Sequence, residues 1–211
     1  IARRQRQMCI RDRDNGVIRE LTVNSSQGVG VRVLVDGSIG YSSINSLNKE
    51  SIKEAVYRAY KLAKASGKYS VKVELYERPT LRDKVSSKYN VEPEEIDLSE
   101  KTDLLRQMFN VARGFNGISS ITLRFGYERD NRIYVSSNGD YVELTRRLIG
   151  VSSRLIAFLE GSYETFYDYE SGVAGWEFIK NINWEDWISE KSKTTIEVAK
   201  ARYITPGRYD V

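Results

Sequence analysis

The stretch from Gly28 to Ser66 constrains the fold of this chain most strongly, because it specifies four consecutive elements. Valines at every second position predict a strand with one apolar face. Asp36-Gly37 follows, and this dipeptide is typical of a tight hairpin turn because glycine adopts positive φ without steric strain. Ile39–Ile44 is the predicted returning strand. The apolar face of the first strand consists of Val29, Val31, Val33 and Val35.

The same stretch ends in a predicted helix over Lys49–Ser66. Asn48 is the expected N-cap, since its side chain can accept a hydrogen bond from the first helical turn. Gly67 is the expected stop. Apolar residues recur at helical spacing and predict one buried stripe, which consists of Ile52, Ala55, Val56, Ala59, Tyr60 and Ala63.

Similar patterns along the rest of the chain predict an α+β fold, with a largely antiparallel mixed sheet and about three helices. Residues 77–97 are expected to form a polar connection. The other two helices are expected near Glu100–Arg113 and Trp184–Ala201. The remaining predicted strands are Val17–Asn24, Val29–Asp36, Val71–Tyr76, Ile121–Tyr127, Arg132–Ser137, Tyr141–Ile149, Val151–Leu159 and Tyr163–Tyr169.

The first thirteen residues require separate treatment. Arg3–Arg13 reads RRQRQMCIRDR, which matches one translated frame of a widely used transposase sequencing adapter. We therefore expect residues 1–13 to be an adapter scar and exclude them from fold reasoning. A genuine basic arm, which would suggest nucleic acid or another acidic surface, is the alternative.

Charge and composition exclude several functional classes. The chain has 33 Lys+Arg and 29 Asp+Glu, and without Arg3–Arg13 the two signs are equal in number. The apparent basicity therefore does not favour a nucleic-acid partner. No apolar run has the length of a membrane span. We expect a cytoplasmic protein with no membrane association.

Catalytic chemistry is poorly represented in this sequence. The chain contains no histidine, and its one cysteine lies in the adapter-like run. This excludes imidazole metal ligands and histidine-assisted nucleophiles. The acidic pairs Glu94-Glu95 and Glu185-Asp186 lie at predicted helix starts and are expected to stabilise them. Gly28-x-Gly30 opens a strand and therefore lacks the context of a dinucleotide-binding loop.

Two further groups leave alternatives open. Arg146-Arg147 could contact a partner, although alternation makes one of the two an ordinary solvated strand residue. An aromatic-rich stretch could pack in the core or at a domain interface, or it could form a wall that binds unfolded peptide. It consists of Tyr163, Phe166, Tyr167, Tyr169 and Trp176, while Trp184 and Trp187 are expected in the core.

Several segments together resemble the amino-terminal domain of the TldD/PmbA family of metallopeptidases, also described as modulators of DNA gyrase. The segments occur in the order found in that family, and the order carries the resemblance across residues 14–211. They are GVGVRVLVDGSIGYSS with its EAVYRAYKLAKAS helix, VEPEEIDLSEKTDLLRQMFNVAR, IYVSSNGDYVELTRRLIGVSSRLIA, GSYETFYDYESGVAGWEFI and TPGRYDV.

The resemblance implies an amino-terminal scaffold, dimerisation and substrate-access domain over residues 14–211, shortened at its start and lacking the catalytic carboxy-terminal domain. In the family a His-Glu-x-x-x-His motif in that other half holds zinc. No catalytic, cofactor-binding or metal residue is therefore expected here, and the chain alone should be inactive. Expected partners are a family member, in a homo- or heterodimer, and peptides or unfolded proteins, without nucleic acid. A non-catalytic partner subunit of the PmbA/TldE type is the alternative.

Overall fold

The computed structural model describes residues 2–13, 17–67, 71–76, 78–201 and 207–208. These residues form an α+β fold, as the sequence predicts. The strands are β1 (Ala2–Arg13), β2 (Val17–Val35), β3 (Ser38–Ile44), β4 (Arg82–Ser86), β5 (Ile118–Val135), β6 (Tyr141–Leu159) and β7 (Ser162–Gly172). The helices are α1 (Lys49–Ser66), α2 (Leu98–Arg113), α3 (Glu177–Lys180) and α4 (Trp184–Lys200), with a 3-10 turn at Pro93–Glu95.

The described strands pair in the order β3-β2-β1-β5-β6-β4, and β7 also pairs with β6. The β2–β3 and β6–β7 pairs are antiparallel, whereas β4 runs parallel to β6. The sheet is therefore mixed. The Asp36-Gly37 hairpin is confirmed, because both residues have positive φ, 50° and 78°.

Three predicted breaks in strands are wrong. The Ser25–Gly28 segment, the Asp130-Asn131 pair and Gly150 all lie inside the continuous strands β2, β5 and β6. At Gly150 a Cβ atom would lie 2.6 Å from the Glu170 carbonyl oxygen. This glycine therefore permits close approach of the neighbouring strand instead of ending its own.

The predicted strand at Val71–Tyr76 is also wrong. These residues adopt no regular structure, although the Val73 N–H donates to the Gly37 carbonyl oxygen at 2.8 Å. Alternating apolar residues favour a strand only where another strand is available to pair. The connection predicted over 77–97 instead contains β4, whose residues are all exposed and show no apolar alternation.

The chain divides into two compact units. Unit 1 comprises Ile1–Met8, Val23–Lys88 and Glu128–Arg147, and unit 2 comprises Cys9–Thr22, Tyr89–Tyr127 and Leu148–Val211. In unit 1, α1 packs on β3 through three fully buried residues, Ala55, Ala59 and Ala63. Asn48 caps this helix by accepting a hydrogen bond from the Ser51 N–H at 2.8 Å. Val56 and Tyr60 are exposed, so the buried stripe is narrower than predicted.

Unit 2 contains an apolar core in which α2 and α4 provide buried side chains. The Asn183 side chain caps α4, as predicted, by accepting from the Asp186 N–H at 3.2 Å. Strands β5 and β6 alternate where they form this core: over residues 121–127 and 149–157 the odd-numbered residues are buried and the even-numbered residues are not. The buried strand residues of the core cluster are Ile10, Ile121, Leu123, Phe125, Tyr127, Ile149, Val151 and Leu155.

The adapter-like run occupies a place in this sheet. Ala2–Arg13 forms β1, and Ile10 is fully buried in the unit 2 core. The origin of the run as an adapter translation stays a prediction, since a strand of any origin can fill that place.

The Asp140 carboxylate in unit 1 accepts several hydrogen bonds. It accepts from Ser136 Oγ at 2.5 Å, the Leu81 N–H at 2.8 Å, and both terminal nitrogens of Arg78. These contacts lower the pKa of Asp140 below its ordinary value of 3.8. The Ser136 hydroxyl has the largest effect, followed by the Leu81 N–H and then by Arg78, while burial acts in the opposite direction. These bonds join Arg78 and Leu81 to the turn before β6.

Because the pKa of Asp140 is lower in the folded chain, its stabilising contribution is present above the unfolded pKa. It is lost as the pH falls through the folded pKa. We expect Asp140→Asn to lower the urea midpoint of unfolding at pH 7, with a difference from wild type that shrinks in strong acid. Urea titrations at pH 7, 5 and 3 measure this. Asp103→Asn is the control, since Asp103 forms only an exposed pair with Arg106. An equal difference at all three pH values would contradict the prediction.

Candidate functional site

The β6–β7 hairpin of unit 2 presents two chemically different sides. Paired residues of adjacent strands point to the same side of a sheet. Buried Ser153, Leu155 and Ala157 are opposite Asp168, Phe166 and Glu164, so all six share the core side. Helix α4 contacts β7 there, and Lys191 Nζ of α4 lies 2.9 Å from Asp168 Oδ2. This bond is the main cause that raises the pKa of Lys191.

The opposite side of the hairpin is rich in aromatic rings. Tyr163, Tyr167 and Tyr169 are 68%, 59% and 61% exposed, and Phe158 is 42% exposed. The registers Phe158↔Tyr163 and Arg154↔Tyr167 place these residues side by side. We call this surface the aromatic face, and it comprises Arg124, Ser152, Arg154, Ile156, Phe158, Tyr163, Thr165, Tyr167 and Tyr169.

Arg124 belongs to this face because of the alternation on β5. Its neighbours Leu123 and Phe125 are fully buried in the core, so the Arg124 side chain lies on the other side of the sheet, where it is exposed. Strands β5 and β6 are neighbours in the sheet, and the Phe158 N–H of β6 donates to the carbonyl oxygen of Gly117, the residue before β5, at 2.8 Å. The aromatic face therefore extends over β5, β6 and β7.

The rings of the aromatic face contact one another in pairs. Phe158 and Tyr163 stack with centroids 4.3 Å apart, and Tyr167 and Tyr169 lie at 6.4 Å with tilted planes. Such rings offer a large contact area and lose little side-chain entropy when they bind a ligand. A patch of this size and composition on a sheet is typical of a surface that binds another polypeptide.

Unit 2 also contains a cleft of about 470 Å³ beside α2, lined among others by Glu100, Trp176 and Trp184. The indole N–H groups of its two tryptophans both donate hydrogen bonds within the protein. Trp176 Nε1 donates to Glu100 Oε1 at 2.9 Å, and Trp184 Nε1 donates to the Ile179 carbonyl oxygen at 2.8 Å. These contacts hold the helices together and do not indicate a ligand.

A catalytic metal needs a cluster of histidine, thiolate or carboxylate ligands. The sequence has no histidine, and the residues that the structure describes contain no group of three or more His, Cys, Asp or Glu that could hold an ion. We therefore derive no metal-dependent step from this chain.

The acidic pairs and the two glycines noted in the sequence belong to secondary-structure elements and not to a binding site. Glu94-Glu95 belongs to the 3-10 turn, and Glu185-Asp186 to the first turn of α4. Gly28 and Gly30 lie within β2, where a Cβ atom would come within 3.0 Å of the Ile44 carbonyl oxygen and 3.1 Å of the Tyr41 hydroxyl, respectively. Their role is close packing against β3.

The arginine pair and the aromatic stretch each divide between two environments. Arg147 is buried and its N–H donates to Ser87 Oγ at 3.1 Å, while Arg146 is partly exposed beside Glu128. Of the aromatic stretch, Phe166 lies on the core side of β7, and Trp176 is in the core, as are Trp184 and Trp187.

Sequence reasoning missed Arg124, Arg154 and Phe158, although the same alternation that places the tyrosines would have indicated them.

Comparison with known proteins places this architecture in a family. The sequence model described as PmbA/TldA metallopeptidase domain 1 matches residues 12–63, and the one described as PmbA/TldA metallopeptidase central domain matches residues 91–203. The second match alone spans more than half of the chain. The chain belongs to the PmbA/TldD metallopeptidase family.

One curated protein is similar over most of this sequence. Metalloprotease MJ0996 of Methanocaldococcus jannaschii is 26% identical over 201 residues, which cover 93% of this chain and 43% of the relative. The chain therefore spans less than half the length of that metalloprotease.

Solved structures of PmbA/TldD type share the fold. A protein described as a modulator of a DNA gyrase, TM0727 from Thermotoga maritima, matches with a TM-score of 0.73 at 18% identity, over 98% of this chain and 45% of that one. TldE from Thermococcus kodakarensis matches with a TM-score of 0.65 at 18% identity, over 92% and 43%. No helix that the structure describes in this PmbA/TldD chain is long and apolar enough to cross a membrane.

Proposed function

We propose that this chain is the scaffold, dimerisation and substrate-access part of a TldD/PmbA-type metal-dependent peptidase, and that its aromatic face binds peptides or unfolded proteins. Hydrolysis would take place in another part of the parent protein, at zinc held by residues outside this chain. The chain alone would be inactive. We further propose a cytoplasmic location and a dimer with a family member.

The observation that carries this proposal is the exposure of Tyr163, Tyr167 and Tyr169 on a sheet whose other side is packed against a helix. Rings at three of the four alternate positions from 163 to 169 of one strand match the repeat of an extended polypeptide. Folded substrates keep their apolar side chains inside, whereas unfolded segments expose them. A row of rings therefore favours unfolded segments over folded proteins.

A binding measurement on this chain tests the proposal. We expect a fluorescently labelled, unstructured peptide containing Leu and Phe to bind the wild type with a micromolar-range affinity. Replacing all three tyrosines with serine should weaken binding at least about tenfold, because most of the ring contact area is lost. Fluorescence anisotropy measures the affinity, and far-UV circular dichroism checks that the variant is folded.

The matched control replaces three tyrosines that are exposed elsewhere, Tyr41, Tyr57 and Tyr76. This triple variant removes the same atoms and should bind the peptide like the wild type. If the control loses as much affinity as the variant of the aromatic face, or if the wild type binds no unfolded peptide, the proposed role of this face is wrong.

A non-catalytic partner subunit of the PmbA/TldE type would need the same binding face. The two candidates differ in the parent gene, where a His-Glu-x-x-x-His motif downstream supports the peptidase and its absence supports the partner subunit. The two helical histidines of such a motif would lie on one face to hold zinc.

A further inference from the structure

The two arginines of the aromatic face differ from the other arginines on the same strands. Arg132 of β5 lies 2.6 Å from Asp130 Oδ2, and Arg146 of β6 lies 3.5 Å from Glu128 Oε1. In contrast, Arg124 and Arg154 are exposed, and their side chains form no ion pair or hydrogen bond with any residue that the structure describes.

The carboxylates of β7 lie away from these guanidinium groups. Glu164, Asp168 and Glu170 are opposite the buried residues Ala157, Ser153 and Val151 and therefore lie on the core side, where Asp168 is bound to Lys191. None of the residues that define the aromatic face is acidic, so the face combines two positive charges with four exposed rings. Arg154 lies directly opposite Tyr167, which places one charge among the rings.

We infer that the aromatic face selects acidic unfolded segments, with substrate carboxylates bound by Arg124 and Arg154 while the apolar side chains contact the tyrosines. This inference rests on the proposed function, and it names the substrate class. A guanidinium with no internal partner can form a two-point hydrogen-bonded pair with a carboxylate. A lysine-rich segment would place like charges together, which lowers its affinity.

Three labelled peptides of identical length test the inference on this chain. They differ only in carrying Glu, Gln or Lys at the same positions. We expect the Glu peptide to bind about tenfold more tightly than the Lys peptide at low salt, with the difference shrinking as salt screens the charges. In the double variant R124Q/R154Q the Glu and Lys peptides should bind alike, while the affinity for the Gln peptide changes little.

The matched control is R32Q/R58Q, which removes the same charge from two exposed arginines off the face. It should keep the preference for the Glu peptide. If all three peptides bind the wild type equally, or if R32Q/R58Q removes the preference, the charge selection is wrong while peptide binding itself stands. If no peptide binds, the proposed function fails first.

Single-stranded DNA provides a further outcome, because rings and arginines on a sheet can also bind bases and phosphates. A labelled oligothymidylate is measured beside the peptides. If the oligothymidylate binds weakly, and R124Q/R154Q leaves that binding unchanged, the result supports selection of acidic peptides. If the oligonucleotide binds more tightly than the Glu peptide, and R124Q/R154Q abolishes that binding, the inferred substrate class is overturned.

Discussion

Gly40→Ala is expected to separate α1 from β3 and to lower the free energy of unfolding by about 3 kcal/mol or more. A Cβ atom at Gly40 would lie 1.9 Å from the Ala59 carbonyl oxygen and 2.5 Å from the Ala63 nitrogen. Both are backbone atoms of α1, so no rotamer change relieves the clash. The helix must move away from the strand, and the contacts of its three buried alanines are lost with it.

Urea unfolding followed by circular dichroism measures this effect. Gly126→Ala is the matched control, because Gly126 lies in β5 with no atom within 4 Å of its added Cβ, and its φ is not positive. We expect the control to change stability by at most about 0.5 kcal/mol. If Gly40→Ala unfolded at the same urea concentration as Gly126→Ala, the close packing of α1 on β3 would be wrong.

The Gly40 contact also indicates how far the sequence predicts unit 1. Helical spacing and the Asn48 cap place α1 correctly, because these signals are local. The width of its buried stripe depends on β3, where a residue without a side chain lets the helix backbone approach. Only small residues fit in that space, so the alanines are buried, while Val56 and Tyr60 lie outside it and are exposed.

Local signals also fail where a partner strand decides the outcome. Ser25–Gly28, Asp130-Asn131 and Gly150 have the composition of turns but lie in paired strands. Val71–Tyr76 has the alternation of a strand but adopts no regular structure. Pairing is a tertiary property, so it outweighs the preferences of single residues.

The candidate site could be predicted only in part for the same reason. The concentration of aromatic residues at 163–169 is visible in the sequence, but their division between two sides follows from pairing with β6. Arg124 comes from β5, which is distant in sequence from the tyrosines. Arg154 comes from β6 and is opposite Tyr167 in the hairpin. Only the register brings these charges and rings together.

Trp176→Ala is also expected to lower the free energy of unfolding strongly, because it removes one of the largest fully buried side chains of unit 2. The indole lies edge-on to Phe125 with centroids 5.7 Å apart, and its Nε1 donates to Glu100 Oε1 at 2.9 Å. Truncation of a buried Trp leaves a cavity and lowers the free energy of unfolding by about 3–5 kcal/mol.

Two further variants separate the contribution of packing to stability from that of the hydrogen bond. Trp176→Phe keeps a ring but loses the donor, and Glu100→Gln keeps an acceptor but loses the charge. The Glu100 side chain is 49% exposed, so water can replace its bond, and Glu100→Gln should change stability by about 1 kcal/mol or less. In urea unfolding, we expect Glu100→Gln to lose the least stability, Trp176→Phe to lose more, and Trp176→Ala to lose the most. A loss in Glu100→Gln equal to that in Trp176→Ala would assign the stability to the hydrogen bond and not to the core.

Trp176→Ala also tests how the core supports the aromatic face. Phe125 lies on the core side of β5, and the neighbouring Arg124 lies on the aromatic face, so the packing of one ring positions the strand that carries the charge. Below the onset of unfolding, we expect Trp176→Ala to reduce the preference for the Glu peptide over the Lys peptide while the Gln peptide still binds. An unchanged preference would mean that pairing between strands, without this core contact, is sufficient to position Arg124.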